Sequence, residues 1–561
     1  MTASSPVATN SIVKTALSRL FLFFTEHEWL VPLLLFSLFT LLCLPGLSWG
    51  APRFWNPDEL IIRVNKALHG EWQFDQTNFD YPSLPKYVMY AIGKVVYGLG
   101  FSLRDFIISA RLFSVLLGAA VIVLVYLIAR EMGGGISLGL LAAGLTLSNS
   151  EVIHNAHFAH NDIYLLFFVT LTIFTLVKYI SSNGKLWLYA AFLSVGLAAS
   201  SKYLGVTLII IPASVLLMLS FRRLRADLLA ISETLFIGAA LCFLGYVVGT
   251  PKALLWMSFY VKRVSAALLR QATYDVGPES VRGLIGQWGV LRSTLGIPVL
   301  ILFIIAFAWS AIRLIPFLRG KFKEDAHWAI TLFALVLSIL AFDLPIIFSY
   351  NYQPRYFISF IPMLSLLAAF FIKGMFQWFR VRGYPHLRFA AVVALVLLIA
   401  WSMLRVVSVM LLFSHDARIP AGEFLESLPA GGSLEHTQYA PAIPSNHFYR
   451  THTYPLVFPK WSSDATPANK PGQFYKYNLG EVGLEERRTD YLVIDSFIYS
   501  RFRDEHTCQL VPAECDLFIR LLAGNSDYRL IGDFKYSLPV YMPHPPVAFV
   551  NPEIRVYERV P

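Results

Sequence analysis

The sequence predicts an α-helical polytopic membrane protein, with about eleven transmembrane helices and a C-terminal α/β domain outside the cytoplasm. Two observations lead there. Of the 561 residues, 56% are hydrophobic and only 15% charged, against roughly 45–50% and about 25% in soluble globular chains. The apolar surplus is also gathered into blocks of about 18 to 25 residues, the length that crosses a hydrocarbon core.

In order, these blocks place spans near residues 28–49, 105–129, 136–150, 161–181, 186–201, 203–220, 228–248, 295–316, 327–349, 355–379 and 388–413. The third and fifth are the shortest. The run from Leu30 to Trp49 is too long for the apolar part of a signal peptide, and many spans follow it. A retained first helix is therefore expected.

Charge sets the orientation. With the N-terminal tail (residues 1–27, carrying Lys14 and Arg19) in the cytoplasm, most of the basic loops fall on that same side. They carry Arg130, Lys185, the Arg222, Arg223 and Arg225 group, Arg313 to Lys323, and Lys373 to Arg388. The positive-inside rule requires this. An odd number of spans then places the C-terminus outside a plasma membrane, the inner membrane in a bacterium. These loops also account for the excess of 46 Lys and Arg over 36 acidic residues. With no soluble basic domain or readout motif, nucleic acid is not an expected partner.

The transmembrane domain is thus 28–413, with long outer loops at 50–104 and 249–294, and the outer domain is 414–561. Loop 249–294 mixes Trp256, Phe259 and Tyr260 with Lys262, Arg263 and Arg270, a pattern suited to a helix lying among lipid headgroups. In 414–561, Tyr491–Asp495 and Tyr528–Gly532 read as strands between turn residues, and the length suits a small domain. Cys43 and Cys242 fall in apolar runs as packing residues. Cys508 and Cys515 could form a bridge outside the cytoplasm. No internal repeat supports an inverted-repeat transporter.

Candidate functional residues cluster on the outer side. In Trp55-Asn56-Pro57-Asp58-Glu59, Asn56 suits a helix N-cap, Pro57 the first helical position and Glu59 the acid of a capping box. Glu59 is also one turn from Arg63. Capping leaves Asp58 less constrained. The turn Asp80-Tyr81-Pro82-Ser83-Leu84-Pro85-Lys86-Tyr87 brings Lys86 near the membrane surface, as an interfacial anchor or an anion contact. His154, His157 and His160, three apart, could hold a metal with Asp162 if they shared one helix face, although no zinc motif has this spacing. Asp162 lies at the outer mouth of a span, where an acid is costly. Lys202 sits in a tight outer turn, Arg355 opens the tenth span, and Arg104 with Asp105 opens the second. As a set, one or more carboxylates and several cations suit an anionic ligand.

The motifs Asp58-Glu59, Tyr81-Pro82-Ser83-Leu84, Ala110-Arg111-Leu112, Asp162, Ser201-Lys202-Tyr203 and Arg355-Tyr356 leading to Pro362 occur in a characteristic order. In this the chain resembles the membrane glycosyltransferases of the GT-C superfamily, in particular the bacterial protein-mannosyltransferase-like and aminoarabinose-transferase-like group that uses polyprenyl-phosphate-linked sugars. The resemblance implies a GT-C-like transmembrane domain. It also implies an inverting transfer on the outer face, from such a donor to a hydroxyl of a glycan, lipid or protein acceptor, with membrane lipid as surroundings. It assigns Asp58 as catalytic base with Glu59 beside it, and Lys202, Arg355, Lys86 and Arg104 as contacts of the donor phosphate. Asp162, Tyr81, His160 and Tyr356 would line the substrate pocket.

The chemistry is coherent: an attacking hydroxyl needs a carboxylate to take its proton. A phosphate leaving group needs charge stabilisation more than protonation. Relatives carry two consecutive prolines where this chain has Pro82 and Pro85, which loosens the assignment of Lys86. There is no Asp-x-Asp pair of the metal-dependent oligosaccharyltransferase type, so no cofactor is expected, a divalent metal being the alternative. The competing reading is a transporter or flippase of a lipid-linked or anionic substrate. It needs polar residues near the bilayer midplane, for which Arg111, Glu233 and Arg405 are the chief candidates.

Overall fold

A computed structural model describes residues 26–71, 79–220, 227–273, 283–319, 326–348, 352–454 and 480–560. Lys14, Arg19, Arg222, Arg223, Arg225, Lys321, Lys323 and the Arg270 side chain lie outside the described residues. The apolar blocks form helices because a segment in hydrocarbon must satisfy its own backbone hydrogen bonds. Among the described residues, eight helices are long and apolar enough to cross a membrane: Leu103–Glu131, Asn161–Ser182, Tyr203–Ser220, Leu228–Gly249, Ile297–Leu318, His327–Ile347, Pro354–Val381 and Pro385–Ser427. The chain is an integral membrane protein.

The other three expected spans differ from simple crossings. The third is a bent pair, Gly135–Leu147 and Ser150–Ala156, at 66°. Asn149 between them is extended, and its Oδ1 accepts from the Glu151 and Val152 amides, which starts a new helix. The first and fifth are helices of 14 and 17 residues, Leu30–Cys43 and Lys185–Ser201, against the roughly 20 a straight crossing needs. Pro45 and Gly46, the latter at φ 92°, turn the chain soon after Cys43. Lys185–Ser201 instead lies tight against Leu228–Gly249: a Cβ at Gly196 would collide with Cys242 O, and one at Gly245 with Leu193 O. Small residues permit this close approach. Its last turn ends where Lys202 becomes extended, and a 3₁₀ segment, Tyr203–Ile209, leads into the next span. The amphipathic segment of loop 249–294 is helical over Met257–Thr273.

The chain divides into two compact units. One holds Glu59 and the spans up to Val406; the other takes Ser48–Asp58 and Val407–Pro561. The second unit contains a five-stranded sheet with β1 Ser433–His436, β2 Arg450–Thr453, β3 Tyr491–Asp495, β4 Tyr528–Phe534 and β5 Ile554–Arg559, in the order β2-β1-β3-β5-β4. β1 runs parallel to β2 and β3, and β5 antiparallel to β3 and β4. Alternation sends Leu492 and Ile494 to one face with Phe518 and Leu521, and Tyr491 and Val493 to the other with Ala421 and Leu425. Both faces are covered, so all of β3 is buried. Cys508 and Cys515 are disulfide-bonded.

The start of the first outer loop is integral to this second unit. Trp49 Nε1 donates to Asp416 Oδ2 at 2.9 Å. Arg418, wholly buried, forks onto Asp416 at 2.9 and 2.7 Å and lies 4.3 Å from the Trp55 ring centroid. Loop 50–104 is therefore not one structural element; it divides between Asp58 and Glu59.

Candidate functional site

The break between Lys185–Ser201 and the 3₁₀ segment aims Lys202 at the first turn of the Asn161–Ser182 helix. Lys202 Nζ donates to Asp162 Oδ1 at 2.6 Å. His160 Nδ1 lies 2.7 Å from Asp162 Oδ2, close but not aligned as a hydrogen bond. Arg355 comes from the 3₁₀ turn Pro354–Tyr356, its Nε 3.9 Å from Asp162 Oδ2. Tyr356 carries the Lys202 ammonium 4.3 Å above its ring centroid, and Tyr81 meets the His160 ring edge-on at 5.6 Å. Five of the expected residues thus surround Asp162.

Their exposures are graded. The Asp162 side chain is 2% exposed, whereas Lys202 and Arg355 are each 16% exposed. The acid is buried and the two cations remain partly accessible. Such a carboxylate orients its cations and offsets the cost of gathering like charges. Of the three charged side chains, Lys202 and Arg355 are the ones accessible to an anion.

Glu59 departs from the local expectation. It neither pairs with Arg63 nor caps a helix, since the helix begins at Ile61. Its Oε1 and Oε2 accept from Arg111 Nε and Nη2 at 2.9 and 2.7 Å, and Oε1 also accepts from the Ala159 amide at 2.9 Å. Charge-assisted bonds of this kind outweigh a capping contact. Asn56 Oδ1 instead accepts the Asp58 amide at 2.9 Å. Asp58 itself is half-buried in the second unit, where its charge reaches the Tyr439 hydroxyl.

Lys86 is fully buried on the helix Leu84–Gly98, so it is not an exposed interfacial anchor. Arg104 is exposed beside Asp105, which closes a capping box with Ser102. The three histidines do not share a helix face, because the helix stops at Ala156. His154 contacts Glu151, both ring nitrogens of His157 lie against the carbonyls of Ile153 and Pro45, and only His160 reaches Asp162. Among the described residues, no three His, Cys, Asp or Glu side chains converge as a metal site. Arg405 donates to the Ser293 and Thr294 carbonyls at 2.7 Å each, and Glu233 is exposed. With Arg111 held by Glu59, two of the three midplane candidates for transport have structural partners.

Residues 102–266 match the sequence model of the family described as dolichyl-phosphate-mannose-protein mannosyltransferase. The matched segment, less than half of the chain, includes Arg111, Asp162, Lys202 and Tyr203, and the resemblance drawn from the ordered motifs is borne out. Dolichyl-phosphate-mannose–protein mannosyltransferase 1 of Saccharomyces cerevisiae is 24% identical over 218 residues, which are 38% of this chain. The chain spans 24% of that relative's length. Among solved structures, ArnT from Cupriavidus metallidurans bound to undecaprenyl phosphate is similar at 13% identity and a TM-score of 0.49, over 94% of this chain and 98% of that one. The apo oligosaccharyltransferase of Archaeoglobus fulgidus is similar at 12% identity and a TM-score of 0.47, over 94% and 88%.

Two features of the structure escape sequence reasoning. Tyr203 donates to Phe79 O at 2.6 Å, and Tyr246 and Tyr260 share a hydroxyl contact at 2.5 Å, which ties the helix Met257–Thr273 to Leu228–Gly249. Tyr203 and Tyr260 stand out in the sequence as parts of a motif and of an amphipathic stretch, but nothing along the chain pairs them with Phe79 and Tyr246. The Asp416–Arg418 pair was legible only as two charges following the last span.

Proposed function

We infer that this protein is an inverting glycosyltransferase that moves a sugar from a polyprenyl-phosphate donor to an acceptor hydroxyl on the outer face of the plasma membrane. The reading rests on one observation: two partly exposed cations, Lys202 and Arg355, gathered on the buried carboxylate of Asp162. The matched segment that contains Asp162 and Lys202 supports a lipid-phosphate donor. The positive-inside count supports the orientation, with the N-terminus cytoplasmic.

In the proposed step, the acceptor oxygen attacks the anomeric carbon while the bond from that carbon to the phosphate oxygen breaks. The bonding pair stays on the phosphate, where Lys202 and Arg355 offset the growing charge. Asp58 takes the hydroxyl proton. A single displacement inverts the anomeric centre. Glu59 is a positioning residue, since its carboxylate is held by Arg111 and fixes the chain directly after Asp58. No metal enters the proposed step.

The test is transfer by the purified full-length protein from a panel of polyprenyl-phosphate sugars, with Asp58→Asn alongside. Near-complete loss of transfer at unchanged melting temperature is expected. An active Asp58→Asn protein would move the base elsewhere. Movement of the lipid across proteoliposomes with no sugar transferred would replace the reading by a flippase.

A further inference from the structure

A separate cavity of about 370 Å³ lies wholly within the unit formed by Ser48–Asp58 and Val407–Pro561, within the size range of small-molecule sites. Phe54, Trp55 and Tyr439 supply aromatic walls, and Gln438, Asn446 and Thr451 supply amides and a hydroxyl. Arg53 and His436 also line the cavity, and Arg53 Nη2 donates to Ile443 O, another wall residue, at 3.0 Å. Buried Asp495 accepts from the Thr437 hydroxyl at 2.5 Å and the Tyr439 amide at 3.0 Å. Tyr439 stands edge-on to Phe497 and stacked with Phe549.

This lining selects for a particular ligand chemistry. A purely apolar ligand would leave the amides of Gln438 and Asn446 desolvated and unpaired. A small inorganic anion would make no use of three aromatic rings. A pyranose uses both, laying its C–H face on an aromatic ring and offering its hydroxyls to amides. Asp58 belongs to the same unit and closely follows the wall residues Phe54 and Trp55 along the chain.

We propose that this cavity binds a carbohydrate and is the acceptor-sugar subsite, which makes the acceptor a glycan or glycolipid headgroup. The acceptor role rests on the transferase reading; carbohydrate binding does not. Full-length protein in nanodiscs, without donor, is titrated with hexoses, N-acetylhexosamines and uronic acids, as mono- and disaccharides, by saturation-transfer NMR. At least one of these sugars is expected to bind. Phe54→Ala and Gln438→Ala should each weaken it roughly tenfold at unchanged melting temperature, a loss of the size expected for one hydrogen bond or ring contact. Arg529→Ala, exposed on β4, should leave binding unchanged. In the transfer assay, Gln438→Ala should raise the acceptor KM and not the donor KM.

Failure of every sugar to bind at millimolar concentration, or equal binding by both cavity variants, overturns the site. Transfer with an acceptor KM indifferent to both substitutions overturns the acceptor role and leaves the transferase standing. Sugar binding abolished by both, in a protein that transfers nothing, supports the site and sinks the transferase.

Discussion

Both oxygens of the Glu59 carboxylate are held by one side chain: Arg111 Nε and Nη2 donate to them at 2.9 and 2.7 Å, with neither side chain reaching solvent. A buried ion pair is not by itself a source of net stability, because desolvation offsets attraction. Its effect is to make position specific. Arg111 also donates to Leu47 O, and Glu59 also accepts from the Ala159 amide, so four positions separated in sequence meet at one pair.

Breaking that pair from one side should therefore be severe. Arg111→Ala should destabilise the protein by about 3–5 kcal/mol, the cost of a buried charge without its partner. Arg111→Lys should not rescue it, since an ammonium cannot fork onto two oxygens. Thermal unfolding in detergent measures both; an Arg111→Ala protein that melts with the native one would remove the structural role.

Lys202→Met should lower kcat/KM for transfer roughly 10²–10³-fold, the effect of removing one preorganised donor from a developing oxyanion. Arg355→Ala should do the same to a smaller extent, its Nε standing 3.9 Å from Asp162 where Lys202 stands at 2.6 Å. Steady-state kinetics with the lipid-linked donor decide this, and an unchanged donor KM and kcat in both variants would remove the cations from the site.

Arg418→Met should loosen the segment that carries Asp58. Arg418 joins Asp416 to the rings of Trp49 and Trp55, at 5.0 and 4.3 Å, and donates to Phe549 O at 2.7 Å. Its loss leaves Asp416 buried with its principal charge partner gone, worth about 3–5 kcal/mol. Hydrogen exchange should show faster amide exchange over residues 48–58, more than over the β5 strand; uniform change across the unit would contradict a local clamp.

Asp495 gives a pH dependence of defined sign. Burial raises its carboxyl above the usual range, against the lowering pull of the Thr437 hydroxyl, the Tyr439 and Ile498 amides and the Arg418 charge. The folded state therefore holds the proton more tightly than the unfolded chain does. The contribution is fully present below the unfolded value of about 3.9 and is lost as pH rises through the raised folded value. The melting temperature of the native protein minus that of Asp495→Asn should fall as pH increases from about 4. A difference that grows with pH would show that the hydrogen bonds outweigh burial.

Much of the fold is legible along the chain because it depends on local length and hydropathy. Leu228–Gly249 and Ile297–Leu318 form where the apolar runs predict, since a helix in lipid satisfies its own backbone. β3 and the start of β4 also fall where β-branched and aromatic runs between turns place them. The bend at Asn149 and the short first helix are harder to read: a cap or a proline turn decides them, and hydropathy averages over both.

The sequence by itself determined that the protein is a many-helix membrane protein and which charged residues gather near the ends of its spans. Only the tertiary structure decided which of them meet. The local pattern paired Glu59 with Arg63, one helical turn away and worth a few tenths of a kcal/mol. The fold pairs it with Arg111, 52 positions along, because a charge removed from water must find a partner wherever the packing brings one. The same reason separates Lys202 and Arg355, drawn to Asp162, from Arg104, which stays exposed beside Asp105.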